Sequence, residues 1–233
     1  MNDMPSRTRI KLCGITREED VRAAVAAGAD ALGLVFYPPS PRYVAPRRAG
    51  ELLRAVPPFI ATVGLFVNAG VEEVAETVAS APVSMLQFHG DESARQCAVA
   101  AAAVNRPFLR ALRIGPDTAA ADLLQYEADY RAASPLFRGL LLDAWSEGYG
   151  GSGKGFDWSL IPKELAPRVV LSGGLSVQNA ADAIARVRPY AVDVSSGIEA
   201  GKGIKDGAKM RAFVSAVRAA DAAGQPGNNS NPF

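Results

Sequence analysis

The chain has 233 residues, 48% of them hydrophobic and 21% charged, which is enough to bury one large core in a single domain. Its 25 Lys and Arg against 24 Asp and Glu leave a net charge of +1 with neither sign gathered into blocks, so the electrostatic footprint of nucleic-acid or membrane binding is missing. Two cysteines form no disulfide framework, no apolar run has membrane-span length, and Met1 leads into a polar stretch without an apolar signal region, which together predict a reduced, cytoplasmic setting.

From Thr8 to about Ala223, apolar runs of strand length alternate with amphipathic helical segments. The first strand, near Ile10–Leu12, breaks into a loop at Cys13-Gly14-Ile15-Thr16. Thr16 is expected to cap a helix over Glu18–Ala27, whose first turn carries three acids against the positive end of the dipole and which Gly28 ends. A strand near Ala31–Phe36 precedes the stiff loop Tyr37-Pro38-Pro39-Ser40-Pro41-Arg42 and a helix near Pro46–Val56, with Pro46 well placed in its first turn. Then follow a strand at Ala61–Val67, a helix at Val71–Ser80, a strand at Ser84–Phe88, a helix at Glu92–Val104, a strand at Phe108–Arg113 and a helix at Thr118–Tyr130. The last quarter reads as strands at Gly139–Leu142, Val169–Leu171 and Ala191–Val194, with helices at Trp158–Leu165, Val177–Val187 and Asp206–Ala222.

Near-continuous apolar strands such as Gly33-Leu34-Val35-Phe36 and Leu140-Leu141-Leu142 suit a parallel sheet covered on both faces. Eight βα units in one domain of this size predict a closed (β/α)8 TIM barrel over residues 1–223. Residues 224–233, rich in Gly, Pro, Asn and Ser, are expected to form a disordered tail.

In such a barrel, ligands meet the C-terminal ends of the strands, and several residues here carry chemistry at those ends. Cys13 ends the first strand and could act as a base if a nearby helix N-terminus lowered its pKa, although a buried cysteine is more often simple packing. Asp143 follows the sixth strand, where a carboxyl flanked by apolar residues can serve as a general acid or merely cap a loop. Ser172-Gly173-Gly174-Leu175 and Ser195-Ser196-Gly197-Ile198 end the seventh and eighth strands, the pair of loops that commonly holds a phosphate on backbone N–H groups. Asp193, inside the eighth strand end, is expected to support those loops. Arg42 could form a bidentate pair with a substrate carboxylate.

Other features carry less. Gly148 to Gly155 nearly spells a nucleotide P-loop, yet Gly155 stands where Ser or Thr must ligate magnesium; the stretch is expected to be a mobile loop over the site. His89 is the only histidine, and a metal site built from it with Asp91 and Glu92 lacks the second histidine usual for catalytic zinc, so no metal is expected. Cys97 falls in a helical stretch and reads as packing.

The chain resembles the phosphoribosylanthranilate isomerase family from about Thr8 to Ala220. The resemblance rests on Lys11-Leu12-Cys13-Gly14-Ile15-Thr16, Phe36-Tyr37-Pro38 through Ser40-Pro41-Arg42-Tyr43, Gln87-Phe88-His89-Gly90, Gly150-Gly151-Ser152-Gly153-Lys154, Leu171-Ser172-Gly173-Gly174-Leu175 and Val192-Asp193-Val194-Ser195-Ser196-Gly197, in that order. It implies a cofactor-free Amadori rearrangement of N-(5-phosphoribosyl)anthranilate, a step of tryptophan biosynthesis. Asp143 would be the acid that opens the sugar ring, Cys13 the thiolate base at C2, Arg42 the anchor of the anthranilate carboxylate, and Gly173, Gly174, Ser195, Ser196 and Gly197 the phosphate cradle. The implied partner is a small phosphosugar, with no nucleic acid or membrane, and the protein a monomer or homodimer. The histidine-pathway isomerase on the same fold uses aspartates in both roles, so Cys13 favours the tryptophan-pathway substrate. A metal-dependent pentose phosphate epimerase calls for more histidine. An FMN-binding oxidoreductase barrel and a non-catalytic phosphate-binding module could use the same loops; FMN absorbance, or indifference to loss of Cys13 or Asp143, would identify them.

Overall fold

A computed structural model describes residues 7–144 and 156–224. Eight parallel strands close in chain order into a barrel: β1 (Arg9–Cys13), β2 (Ala31–Val35), β3 (Ala61–Phe66), β4 (Met85–Phe88), β5 (Phe108–Ile114), β6 (Phe137–Ala144), β7 (Val170–Leu171) and β8 (Ala191–Val194), which pairs back onto β1. Among the described residues, seven α-helices surround it: α1 (Glu18–Ala27), α2 (Pro46–Leu53), α3 (Val71–Ser80), α4 (Ala94–Val104), α5 (Ala120–Ala133), α6 (Ala180–Val187) and α7 (Gly207–Gly224). The expected TIM barrel is the fold. None of the described helices is long and apolar enough to cross a membrane.

Register decides what faces inward. Lys11 lies opposite Asp193, Cys13 opposite Gly33, Gln87 opposite Leu65 and Leu109, and Leu141 opposite Ala111 and Val170. Because side chains alternate across a strand, these positions share the inner face, and Ile10, Leu12, Leu34, Leu86, Leu140, Leu142 and Val192 point outward under the helices. The inner face is apolar toward the N-terminal end, where Leu109, Ala111, Leu141, Val170 and Ala191 pack with Met85. Further along the axis it turns polar, with Gln87, Asp143 and Asp193 two residues beyond Met85, Leu141 and Ala191, and Lys11 opposite Asp193, all buried. That change along the barrel axis makes one end a plug and the other a site. On the outer face Phe36, Phe66, Phe88, Phe108 and Phe137 form a chain of rings 5.3 to 6.4 Å apart across β2 to β6. Truncating a wholly buried residue such as Leu12 or Leu141 to Ala would cost about 2–5 kcal/mol.

Local chemistry moves several boundaries. No α-helix forms over Trp158–Leu165; 3-10 turns stand at Trp158–Leu160 and Ala166–Arg168 instead. Pro162 drives Ile161 to an extended backbone (φ −78°, ψ 115°) and offers no N–H, so the first turn cannot propagate. Thr16 does not cap α1. Arg17 is the N-cap and its side chain makes no capping bond, and Thr16 Oγ1 donates to the carbonyl of Gly203 at 2.6 Å. Helix α6 begins at Ala180, three residues later than the periodicity suggests, because Asn179 turns back to accept from Ser176 N and donate to Gly174 O. Beyond β8 the chain forms an unanticipated antiparallel ribbon, β9 (Glu199–Gly201) with β10 (Ile204–Lys205), turning through Gly203 at φ +76°. Helix α7 runs through Gly224, and the remainder of the expected tail lies outside the described residues.

Candidate active site

At the C-terminal mouth of the barrel a cavity open to solvent is walled by Cys13, Arg42, His89, Asp143, Gly173, Gly174, Ser195 and Ser196. Gly197 is not on that wall. It sits in the 3-10 turn Ser196–Ile198, pressed so close to the carbonyl of Leu175 that a Cβ would meet the oxygen at 2.0 Å. The stretch Gly148–Gly155, read as a loop over the site, lies outside the described residues.

Cys13 is 5% exposed, and its thiol lies over Gly33, where a Cβ would come within 2.6 Å of the sulfur. Burial pushes its pKa up, against the opposing pull of the Lys11 ammonium two residues earlier on the same face. Removal from water outweighs the nearby positive charge. Lys11 in turn is buried and bonds Asp193 Oδ1 at 2.8 Å. Burial works against its charge, but Asp193 and Cys13 together hold its pKa above the ordinary lysine value. Asp193 thus anchors the lysine beneath the thiol, a role different from the expected support of the phosphate loops.

Asp143, expected just after the sixth strand, is the penultimate residue of β6, with Oδ1 accepting its neighbour's amide, Ala144 N, at 2.9 Å and Oδ2 facing His89 Nε2 at 3.2 Å. His89 Nδ1 meets Gln87 Nε2 at 2.8 Å. The lone histidine is thus a partner of the carboxyl. Glu92, once a conceivable co-ligand, is spent on Arg110 Nη1, Asn68 N and Gly90 N. Among the described residues no three side chains are grouped to hold a metal ion.

Arg42 reaches the cavity from the loop after β2 and is gripped by Glu199, Nε to Oε1 at 2.7 Å and Nη2 to Oε2 at 2.9 Å. A guanidinium has five N–H donors, so this side-on pair uses two and leaves the Nη1–Nη2 end for a ligand. Lys205 Nζ also bonds Glu199 Oε1, at 3.0 Å, and Ser195 O at 2.9 Å. Burial works to raise the Glu199 pKa, but the bonds from Arg42 and the charge of Lys205 outweigh it and hold the carboxyl ionised below its usual range. With two cations sharing one carboxylate, burial wins at Lys205 and lowers its pKa.

The loops after β7 and β8 bring bare backbone to the cavity wall. Gly173 (φ +85°) and Gly174 (φ +65°) take left-handed conformations, and a Cβ on Gly173 would lie 2.3 Å from the amide of Ala144. Among the described residues the amides of Gly173, Gly174 and Ser196 donate to no protein acceptor. Cys97 lies apart, wholly buried in α4, where burial pushes its thiol up to about 12.

Sequence reasoning passed over Lys11, Gln87, Glu199, Lys205 and the bond from His89 to Asp143. A signal for the strand pairs existed: Lys11 and Cys13, and Gln87 and His89, are two apart, which puts polar groups on one face of otherwise apolar strands.

A family model for N-(5'phosphoribosyl)anthranilate (PRA) isomerase matches residues 10–216. The chain is 67% identical over 223 residues to the N-(5'-phosphoribosyl)anthranilate isomerase of Herminiimonas arsenicoxydans, covering 96% of this chain and 98% of that one. Its fold is similar to crystalline phosphoribosyl anthranilate isomerase from Thermotoga maritima, with TM-score 0.78, 38% identity and coverage of 91% and 99%. It is also similar (TM-score 0.76, 36% identity, coverage 91% and 99%) to such an isomerase in complex with reduced 1-(o-carboxyphenylamino)-1-deoxyribulose 5-phosphate.

Proposed function

The chain belongs to the N-(5'-phosphoribosyl)anthranilate isomerase family, an enzyme of tryptophan biosynthesis, and from that premise we propose how its own residues carry out the rearrangement. The observation that carries the reading is the sharing of one cavity by a thiol, a carboxyl, a half-occupied guanidinium and a set of open backbone amides. The substrate's phosphate sits on the amides of Gly173, Gly174 and Ser196, with Ser195 beside them; Gly197 supports this wall from behind. Its anthranilate carboxylate takes the open end of Arg42. These two anions are the far ends of the molecule, so the sugar C1 and C2 lie between them, near Cys13 and Asp143.

Asp143 in its acid form gives a proton to the furanose ring oxygen as the C1–O bond breaks, and the anthranilate nitrogen lone pair forms the iminium. Cys13 then takes the proton from C2, and the C2–H electron pair moves into the iminium to give the enolamine. The enolamine becomes the ketone 1-(2-carboxyphenylamino)-1-deoxyribulose 5-phosphate by gaining a proton at C1 and losing one from the C2 hydroxyl, so the two groups return to their starting states. The electron sink is the substrate's own iminium, and the chemistry needs no cofactor. Burial raises the Cys13 pKa, so its S–H proton passes to solvent water before the C2 step, which starts and ends on the thiolate. The thiolate is favoured once the cationic iminium stands beside it, with Lys11 behind. All the groups named come from one chain, so a monomer or a homodimer can work, and the two unbridged cysteines suit a reducing cytoplasm.

The test is the loss of substrate fluorescence in metal-free buffer. Cys13→Ser and Asp143→Asn should each lower turnover by about 10²–10⁴ with folding preserved. Wild-type turnover in Asp143→Asn would remove the acid assignment, and indifference to both changes would leave a phosphate-binding module.

A further inference from the structure

Gln87 lies in β4 and His89 just beyond its end on the cavity wall, yet the reaction set out above uses neither. We propose that they are positioning residues for Asp143, holding against its Oδ2 a hydrogen-bond donor whose bond strengthens as the carboxyl gives up its proton. This rests on the reading of Asp143 as the acid.

Gln87 is wholly buried between Leu65 and Leu109 on the neighbouring strands, and its Oε1 has no partner among the described residues. A leucine would fill that space without stranding an oxygen, so packing does not explain the amide. Its contact with His89 does. With the Gln87 nitrogen facing Nδ1 at 2.8 Å, Nδ1 accepts, the ring hydrogen resides on Nε2, and Nε2 donates to Asp143 Oδ2 at 3.2 Å. The opposite amide orientation would put the hydrogen on Nδ1 and turn a bare lone pair toward the carboxylate. The ring is held in place because Arg110 bonds the carbonyls on either side of His89, Phe88 O at 3.1 Å and Gly90 O at 2.9 Å.

When the Asp143 O–H bond breaks and the ring-oxygen O–H bond forms, a negative charge is left on the carboxyl. A donor already fixed at Oδ2 then becomes a charge-assisted bond, stronger in the transition state than with the neutral acid. An interaction that strengthens on the way to the transition state raises kcat while leaving substrate affinity nearly unchanged.

The experiment compares His89→Leu, His89→Gln, Gln87→Leu and the double variant Gln87→Leu/His89→Gln in the fluorescence assay. His89→Leu should lower kcat about 10- to 100-fold, the loss of one hydrogen bond to a charged group, with KM within about threefold. His89→Gln, whose amide nitrogen can take the place of Nε2, should recover kcat to within about fivefold of wild type. Gln87→Leu should lower kcat about three- to tenfold alone and nothing further in the His89→Gln background, where no tautomer remains to be fixed. Normal kcat in His89→Leu, or an equal cost of Gln87→Leu in both backgrounds, would overturn the inference; the Gln87 comparison decides it even where His89→Leu fails to fold. Asp143→Asn measured alongside separates the two readings. If it abolishes turnover while His89→Leu is normal, this inference alone fails; if it keeps turnover, the acid assignment fails and this falls with it.

Discussion

Gly33 offers a direct test of how tightly the base is placed. Adding one methyl group there as Gly33→Ala sets a carbon 2.6 Å from the Cys13 sulfur and 3.1 Å from its Cα. Non-bonded heavy atoms want about 3.5–4.0 Å, so the sulfur must retreat by about 1 Å or the two strands must part. A displacement of that size at a reacting group costs on the order of 10² in rate. The assay is kcat/KM by fluorescence, with thermal unfolding beside it, because overpacking alone costs about 1–3 kcal/mol and lowers Tm by about 2–12 °C in a domain of this size. Gly64→Ala is the matched control. Its Cβ would meet Phe36 Cε2 at 2.9 Å and Phe66 Cε2 at 3.2 Å on the helix-facing side of the sheet, away from the thiol. Both variants should lose stability and only Gly33→Ala should lose rate. A Gly33→Ala enzyme within about threefold of wild-type kcat/KM would refute the claim that this position secures the base.

Three further outcomes follow from the charges. Lys11→Met removes the ammonium that opposes burial at Cys13, so the pH at which iodoacetamide alkylates this thiol should rise further; an unmoved midpoint would show that Lys11 does not act on the sulfur. Arg42→Lys cannot serve Glu199 and a substrate carboxylate together, so KM should rise about tenfold or more with kcat changed less, and an unchanged KM would place the anthranilate elsewhere. At Asp30, burial favours the neutral acid, but bonds from Arg7, Ile10 N and Arg218 outweigh it and hold the folded pKa below the ordinary value. A depressed carboxyl stabilises the fold fully above its unfolded pKa of about 3.9, and that contribution is lost as pH falls through the lower folded value. The urea midpoint of wild type should therefore exceed that of Asp30→Asn by a constant margin from pH 7 to about 5 and converge with it below about 4; a margin that widened in acid would be contrary.

Helices whose ends carry local signals were legible to the residue: α1 closes at Gly28, whose φ of +90° suits glycine, and α3 spans Val71–Ser80 as its pattern indicates. The helix expected after Trp158 failed on a local rule, the extended backbone that Pro162 imposes on the residue before it. The β9–β10 ribbon failed for a different reason. Three residues against two carry no periodicity to read, and the ribbon is held by Lys205 bonding back to Ser195 and by Glu199 bonding to Arg42, far away in the chain.

By itself the sequence determined the eightfold alternation, and with it which residues would stand at strand ends: Cys13, Asp143, Gly173, Gly174, Ser195 and Ser196. Strand periodicity and turn chemistry act over a few residues, so they are written locally. Only the closed barrel decided that Lys11 meets Asp193 182 positions away, that His89 meets Asp143 54 positions away, and that Glu199 takes one side of Arg42 from 157 positions away. It also decided the surroundings of Cys13, because whether a thiol lies in water or beneath a neighbouring strand is settled by barrel closure and shear, which no local stretch of chain contains.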